Sequence, residues 1–501
     1  MRPVRFAPRK PLVAVAAPTL KVERHLLACG ALLLVSRRPG APITAFHAHV
    51  RGGFALDPSG KEGLAFLAGA LASEGTTKRS EEEIADLLEP AGGALSGDSG
   101  GIAGSIAGES WETLLEVASD VLTAPTYPES KFERQRSRLV DRLMVDRDDP
   151  RVQGGRMFRR LIYGDHWLGR SEQGQYDSVR RITRADLIAH HAKQWVASRA
   201  VIGVCGDVDP KAVRKFLDER LAKWPAGTTL PPTEPKFPPP GHRVAAFAAD
   251  RQQVHLYLGH LGIRRSDPDY PALVVMDHIL GTGPGFTSRI AKRLRDEEGL
   301  AYSVHSAVHT SAGVLPGLFS ATIGTSPKHV ERAVRGFVEE ITRIRTELVA
   351  PAELDLVHRY LTGSFALGFE RASRRTSYMV YAERHGLPPD HLEHLPRQFI
   401  EVDAEAVRRV ADKHLRPSEL CLVGAGPVDV PRLEKALQTA LAAKPKAAGK
   451  KSASKVRASA KPSAQRAAAK PAAARALSTK SAASKKAAAK ARAARSRVAR
   501  S

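Results

Sequence analysis

Ile182–Asp209 reads ITRADLIAHHAKQWVASRAVIGVCGDVD, and Val402–Asp429 reads VDAEAVRRVADKHLRPSELCLVGAGPVD, at a constant offset of 220 residues. In each copy a residue suited to cap a helix (Thr183, Asp403) opens an amphipathic run. An apolar stretch of strand length follows, and a glycine-containing turn closes on Val-Asp. Short solenoid units recur every ~20–50 residues, so a spacing this long implies that a whole domain was duplicated. Between the copies lies Pro225–His242, PAGTTLPPTEPKFPPPGH, whose prolines favour extended, semi-rigid chain. The expected organisation is a leader over 1–19, a first domain over 20–224, a linker over 225–242, a second domain over 243–440 and a tail over 441–501.

Within each half the order of elements is not a simple strand–helix alternation. Ala31–Val35 and Ala45–Arg51 read as consecutive strands around a Pro39-Gly40 turn, followed by helices over Glu62–Ser73 and Glu81–Glu89. The second helix opens on a capping box, Ser80-x-x-Glu83. Further helices are expected over Ser110–Thr123, Lys131–Asp146 and Arg151–Ile162. In the second half, strands fall at Gln253–Gly259 and Gly317–Ile323, with helices at Pro268–Leu280 and Lys328–Leu348. Strands joined by turns, with helices grouped beside them, give an α+β fold rather than a doubly wound sheet.

The net charge of +24 belongs mostly to the tail. Lys444–Ser501 holds 18 Lys or Arg and no Asp or Glu, which leaves +6 of the +24 for the first 443 residues. Built almost wholly of Ala, Lys, Arg and Ser, the tail cannot bury enough apolar surface to fold, and disorder is expected there. Its cations suit phosphates, giving salt-dependent, non-specific affinity for nucleic acid or an acidic surface. Without aromatic residues it has no means of stacking on bases. Cys29, Cys205 and Cys421 lie too far apart in sequence to suggest a metal knuckle and read as buried thiols in a reducing compartment. No apolar run is long enough to span a membrane. Four basic residues precede LVAVAAPTL near the start, which leaves export open beside a cytoplasmic location.

Gly63–Thr76, GLAFLAGALASEGT, resembles the first active-site helix of the pitrilysin/insulinase-type (inverse zincin) metallopeptidases, usually worded close to GLAHFLEHMLFKGT. The likeness extends to Val50–Ala65, Leu161–Arg170, Gly206–Pro210 and Phe286–Val304, and so covers nearly everything but the tail. It implies two homologous domains, each an antiparallel sheet covered by helices. Laid over the family pattern, the two zinc histidines fall on Phe66 and Ala70 and the general-base glutamate on Gly69. The third ligand falls on Arg142, beside Asp141, in ERQRSRLVDRL (Glu133–Leu143). Zinc needs imidazole, thiolate or carboxylate donors at about 2 Å, and none of these four positions supplies one. Substitutes are poor: His391 and His394 are spaced i, i+3, His47 and His49 alternate along a strand, and His190 and His191 diverge around a helix.

A second family feature is intact. The pattern L-R-x-x-x-x-L-x-Y, whose arginine and tyrosine hold the substrate main chain and the developing oxyanion, is filled by Leu294, Arg295, Leu300 and Tyr302. The turn Gly281–Gly285 before it sits where the non-catalytic subunit of mitochondrial processing peptidase carries a longer glycine-rich loop. Here it is short, and Phe286 breaks any phosphate-binding pattern. The resemblance thus implies a chain without zinc or other cofactor of its own. It would pair with a zinc-bearing homologue, as that subunit and its bacterial two-subunit relatives do, and contribute Arg295 and Tyr302 to peptide substrate. The competing expectation is a structural protein on the same fold, whose basic tail docks to nucleic acid.

Overall fold

The computed structural model describes residues 19–231, 234–284 and 287–443. The leader, except its last residue, and the basic tail from residue 444 lie outside the described residues, as do Gly285 and Phe286 of the glycine-rich turn. The first half runs β1 (Glu23–Leu26), β2 (Leu32–Arg37), β3 (Ile43–Val50), α1 (Leu64–Ala70), α2 (Glu81–Leu88), β4 (Ala94–Asp98), β5 (Gly101–Ala107), α3 (Trp111–Thr123), α4 (Glu129–Arg147), α5 (Pro150–Tyr163), α6 (Tyr176–Arg180), α7 (Arg184–Gln194), β6 (Ala200–Gly206) and α8 (Pro210–Arg220). The second runs β7 (Arg243–Ala248), β8 (Val254–Leu261), α9 (Tyr270–Asp277), β9 (Val304–Ala307), β10 (Leu318–Thr325), α10 (Val330–Thr346), α11 (Pro351–Gly368), α12 (Ala372–Arg384), α13 (His391–Ile400), α14 (Ala404–His414), β11 (Cys421–Gly426) and α15 (Val430–Ala442). No helix among the described residues is long and apolar enough to cross a membrane.

The duplicated sequence becomes α7–β6 in one half and α14–β11 in the other. Thr183 Oγ1 accepts from Asp186 N at 3.3 Å and an Asp403 carboxylate oxygen accepts from Ala406 N at 2.7 Å, so both expected caps are made. The closing Val-Asp also has a job: Asp209 caps α8 and Asp429 caps α15. Both strands are buried along their whole length, which is why they read as unbroken apolar runs rather than alternating ones.

That burial follows from where the strands insert. The sheets are ordered β1-β2-β6-β3-β5-β4 and β7-β11-β8-β10-β9, so from β2 onward the first repeats in the second. The last strand of each half enters between the first two of that shared order. Those two run in opposite directions, so the newcomer must be parallel to one of them. The pairs β2/β6 (Leu32 opposite Val201) and β7/β11 (Arg243 opposite Cys421) are accordingly parallel, and every other pairing is antiparallel. The sheets are therefore mixed by one pair each.

Each half lends a helix to the other. Helix α5 packs on β7, β8 and β11 of the second sheet, while α12 packs on β3 and β6 of the first. Close approach is needed in both places and glycine provides it: a Cβ on Gly154 would lie 2.6 Å from the Tyr257 ring, and one on Gly203 would lie 2.9 Å from Val380. The exchange makes small cores that belong to neither half alone, such as Phe158 and Ile162 with Leu318, Cys421 and Val423. It also ties both sheet layers into one compact unit. Phe158 is 3% exposed, so Phe158→Ala should cost about 3–5 kcal/mol, read by chemical denaturation. Because it loosens the joint between the halves, that variant should also become sensitive to limited proteolysis between residues 221 and 242, where no helix or strand covers the described chain. A variant as stable and as resistant as the parent would contradict the shared core.

The three cysteines are buried free thiols.

Candidate functional site

Helix α1 is where a metal would be held in the resemblance, and it is shorter than the sequence suggests. Its start is fixed by Asp57, whose carboxylate accepts from Gly63 N and Ala65 N, both at 2.8 Å. Burial pushes that carboxyl up to about 6 against the pull of the amides. Gly63 opens the helix at φ 101°, a conformation that suits glycine. At the other end Ala72 N turns back to Gly69 O at 3.2 Å, so the helix closes at Ala70 instead of reaching Ser73.

The four expected positions fall as follows. Phe66 is half-buried against an apolar cluster of Leu64, Leu67, Leu71, Tyr127, Phe132, Leu139 and Leu143, which joins α1 to α4. Ala70 is half-buried one turn on. Arg142 and Asp141 are exposed on α4, while the next residue, Leu143, turns into the cluster. Gly69 is buried against β4. A Cβ built there would lie 1.8 Å from the Asp98 carbonyl oxygen, and one on Gly97 would lie 2.2 Å from Gly69 O. Backbone meets backbone where the family places its general base, and no side chain fits. The position has been repacked as well as stripped of ligands, and these residues do not suit zinc.

Elsewhere, Asp267, Asp269 and His414 are the one group of metal-type donors that converge among the described residues. Asp269 already receives Arg409 at 2.9 Å, Lys413 at 2.7 Å and His414 at 2.8 Å. Burial opposes its charge, yet those hydrogen bonds hold the carboxyl well below the usual range. Two side-chain cations occupy the place a metal would need. Three of the histidines named as substitutes, His391, His394 and His191, are accounted for by their neighbours. His391 Nε2 lies 2.7 Å from Arg265, His394 Nε2 lies 3.0 Å from Asp390, and His191 Nε2 lies 3.1 Å from Leu122 O. His190 and His191 are both buried.

Arg295 and Tyr302 are brought together. Leu294 and Leu300 of the same pattern are buried anchors, joined by Leu300 N to Leu294 O at 2.8 Å, and Thr325 Oγ1 donates to Leu300 O at 2.8 Å. The backbone over Ala291–Glu297 winds in wide, π-type turns, a geometry frequent at functional sites. With the leucines inward, the guanidinium carbon of Arg295 sits 5.8 Å from the centre of the Tyr302 ring, and Tyr302 is 87% exposed. The phenol is exposed, whereas Arg295 is half-buried and its guanidinium lies 3.6 Å from the neighbouring Asp296 carboxylate. Arg293, two residues earlier, serves packing instead and is held by Glu298, Glu339 and Glu340. The wide turns and the sharing of Arg293 among three glutamates carry no local sequence signal.

Residues 181–361 match the model of the peptidase M16 inactive domain. An uncharacterized zinc protease of Mycobacterium tuberculosis is 26% identical over 368 residues, 70% of this chain and 81% of that one. The non-peptidase homolog YmxG of Helicobacter pylori is 24% identical over 414 residues, 80% of this chain and 90% of that one. The crystal structure of a peptidase M16 inactive domain from Pseudomonas fluorescens superposes with a TM-score of 0.75 at 25% identity, covering 82% of this chain and 99% of the other. The likeness runs through both halves: the chain is similar to pitrilysin/insulinase-type (M16) peptidases and their non-peptidase homologs, and the family match over residues 181–361 is to the M16 inactive domain.

Proposed function

We propose that this chain is the non-catalytic subunit of a two-chain zinc metallopeptidase, completing the site of a zinc-bearing homologue. One contrast carries the reading: the metal position is closed by the Gly69–Asp98 backbone contact, while Arg295 and Tyr302 are kept side by side with the Tyr302 phenol exposed. The partner's metal would activate the attacking water. The work of this chain is to present donors. The Arg295 guanidinium offers rigid N–H groups to a substrate carbonyl, and the Tyr302 hydroxyl can donate to an oxygen as negative charge grows on it. Support comes from the match to an inactive M16 domain and from a relative named a non-peptidase homolog. Buried thiols without disulfides fit a cytoplasmic setting.

The test is reconstitution. The isolated chain should hydrolyse no peptide, and adding the zinc-bearing homologue should produce activity greater than that homologue has alone. Arg295→Ala should lower the rate of the pair by about 10²-fold, the order found when one oxyanion donor is removed. Full activity from that variant would contradict the role. If no homologue associates and nucleic acid is released by salt instead, the scaffolding alternative takes its place.

A further inference from the structure

A cavity of about 560 Å³ lies where β3 of the first half meets α9, α11, α12 and α13 of the second. Its lining includes none of Phe66, Gly69, Ala70 and Arg142, and neither Arg295 nor Tyr302. Leu361, Phe365, Phe369 and Phe399 give it an apolar wall. Set against that wall are Arg384, Tyr378 and His47.

Three facts about those polar groups point the same way. The Tyr378 hydroxyl and His47 Nδ1 are both out of reach of solvent and make no hydrogen bond. Buried polar atoms left without a partner are few in folded proteins, and each costs on the order of 1–3 kcal/mol. Half-buried Arg384 has no carboxylate oxygen within 4.0 Å among the described residues; the acid that attracts it is Asp98, farther off, and Arg51 adds repulsion. Burial weakens its hold on the proton and, with help from the Arg384 charge, keeps His47 and His49 neutral. Arg384, the Tyr378 hydroxyl and His47 therefore line the chamber beside its apolar wall, with Arg374 and Tyr381 also in the lining. The group that would satisfy a guanidinium and a phenol together is a planar carboxylate, which has two oxygens to receive them. The volume exceeds what an inorganic anion fills and falls in the range of small-molecule sites, ~300–1,000 Å³.

We propose that this cavity binds a monoanionic carboxylate borne on an aromatic or branched apolar body, with Arg384 and the Tyr378 hydroxyl on the carboxylate and the phenylalanine wall around the body. The same chemistry is offered by a free small acid and by the C-terminal residue of a peptide. Titration calorimetry of the full chain with 3-phenylpropionate, with its primary amide and with acetyl-Gly-Gly-Phe tests the proposal and separates the two sources. The acid should bind saturably and the amide about tenfold or more weakly, since the charge-assisted hydrogen bonds are lost. Arg384→Gln should bring the acid down to the level of the amide. Tyr378→Phe removes only an unpartnered hydroxyl, so its thermal midpoint should be no lower than that of the parent, while the acid binds at least about threefold more weakly. Binding of the peptide with the same dependence on Arg384 supports a peptide terminus as the ligand; binding of the free acid alone supports a small metabolite. Equal affinity for acid and amide, no saturable binding of any of the three, or unchanged affinity in a well-folded Tyr378→Phe variant would each overturn the proposal.

Discussion

Gly69→Ala is expected to destabilise the protein by at least about 3 kcal/mol, the upper end of what overpacking costs, in a substitution that adds a single methyl group. The reason is local. A Cβ at position 69 would stand 1.8 Å from the Asp98 carbonyl oxygen, and that atom belongs to the backbone of β4, which cannot rotate aside. Relief requires α1 to lift from the edge of the sheet, which would pull Leu64, Leu67 and Leu71 out of the cluster they share with α4. Gly97 cannot yield either, because its own Cβ position is 2.2 Å from Gly69 O. It follows that the quadruple change Phe66→His, Gly69→Glu, Ala70→His and Arg142→Glu, which restores all four family positions, should not restore a metal site. The expected result is a protein with a lowered denaturation midpoint and no stoichiometric zinc. A stable quadruple variant that takes up one zinc ion would show that the contact yields easily, and that loss of ligands alone separates this chain from its active relatives.

The second large effect concerns acid. His190, His191 and His260 are 6%, 8% and 1% exposed. Burial lowers the first two to about 4 and His260 to about 3. Each is neutral in the folded chain over the range where the unfolded chain, with an ordinary histidine pKa near ~6.5, takes up a proton. The unfolded state then binds more protons, so stability is full above about pH 6.5, falls as the pH drops, and stops falling only below the folded values near 3–4. Asp57 works in the opposite sense: its carboxyl, raised to about 6, takes a proton in the folded state first and offsets one of the three. From these four groups a net uptake of about two protons corresponds to ~3 kcal/mol for each pH unit between 6 and 5, and His49, His385 and His391, also lowered by burial, add to the fall in the same sense. Urea denaturation at pH 7, 6 and 5 should show midpoints that fall steeply over the last interval. His191→Gln should flatten the slope by about one proton. Midpoints that stay constant from pH 7 to pH 5 would mean that these histidines titrate normally in the folded chain.

How much of this could be read from the chain depends on whether the determining contacts are local. The repeat at offset 220 gave both α7–β6 and α14–β11 with their caps, because a cap and an apolar run are decided within a few residues. The capping box on α2 is present as expected, with Glu83 N on Ser80 Oγ at 3.2 Å and Ser80 N on Glu83 Oε2 at 2.7 Å. The Leu294–Tyr302 pattern is legible as wording, but that Leu294 and Leu300 are buried, Tyr302 exposed and Arg295 half-buried beside Asp296 comes only from the fold. What stayed hidden was long-range. That α5 and α12 cross to the opposite sheet depends on Gly154 meeting Tyr257 and on Gly203 meeting Val380, pairs more than 100 residues apart in sequence. Nor does position 69 announce its meaning: an absent glutamate is visible in the letters, whereas a backbone carbonyl pressed into its place is not. The same holds for the cavity beside Arg384, whose lining comes from five separate elements and from His278, His309 and Phe369 between them.

The most direct test of the central claim, that this chain has the body of a zinc peptidase without a place for the metal, is metal analysis of the isolated full-length protein after equilibration with zinc and removal of excess. The account predicts far less than one zinc per chain and no hydrolysis of unfolded peptide by the same sample. One tightly held zinc per chain, lost when the contact between α1 and β4 is disturbed, would contradict it.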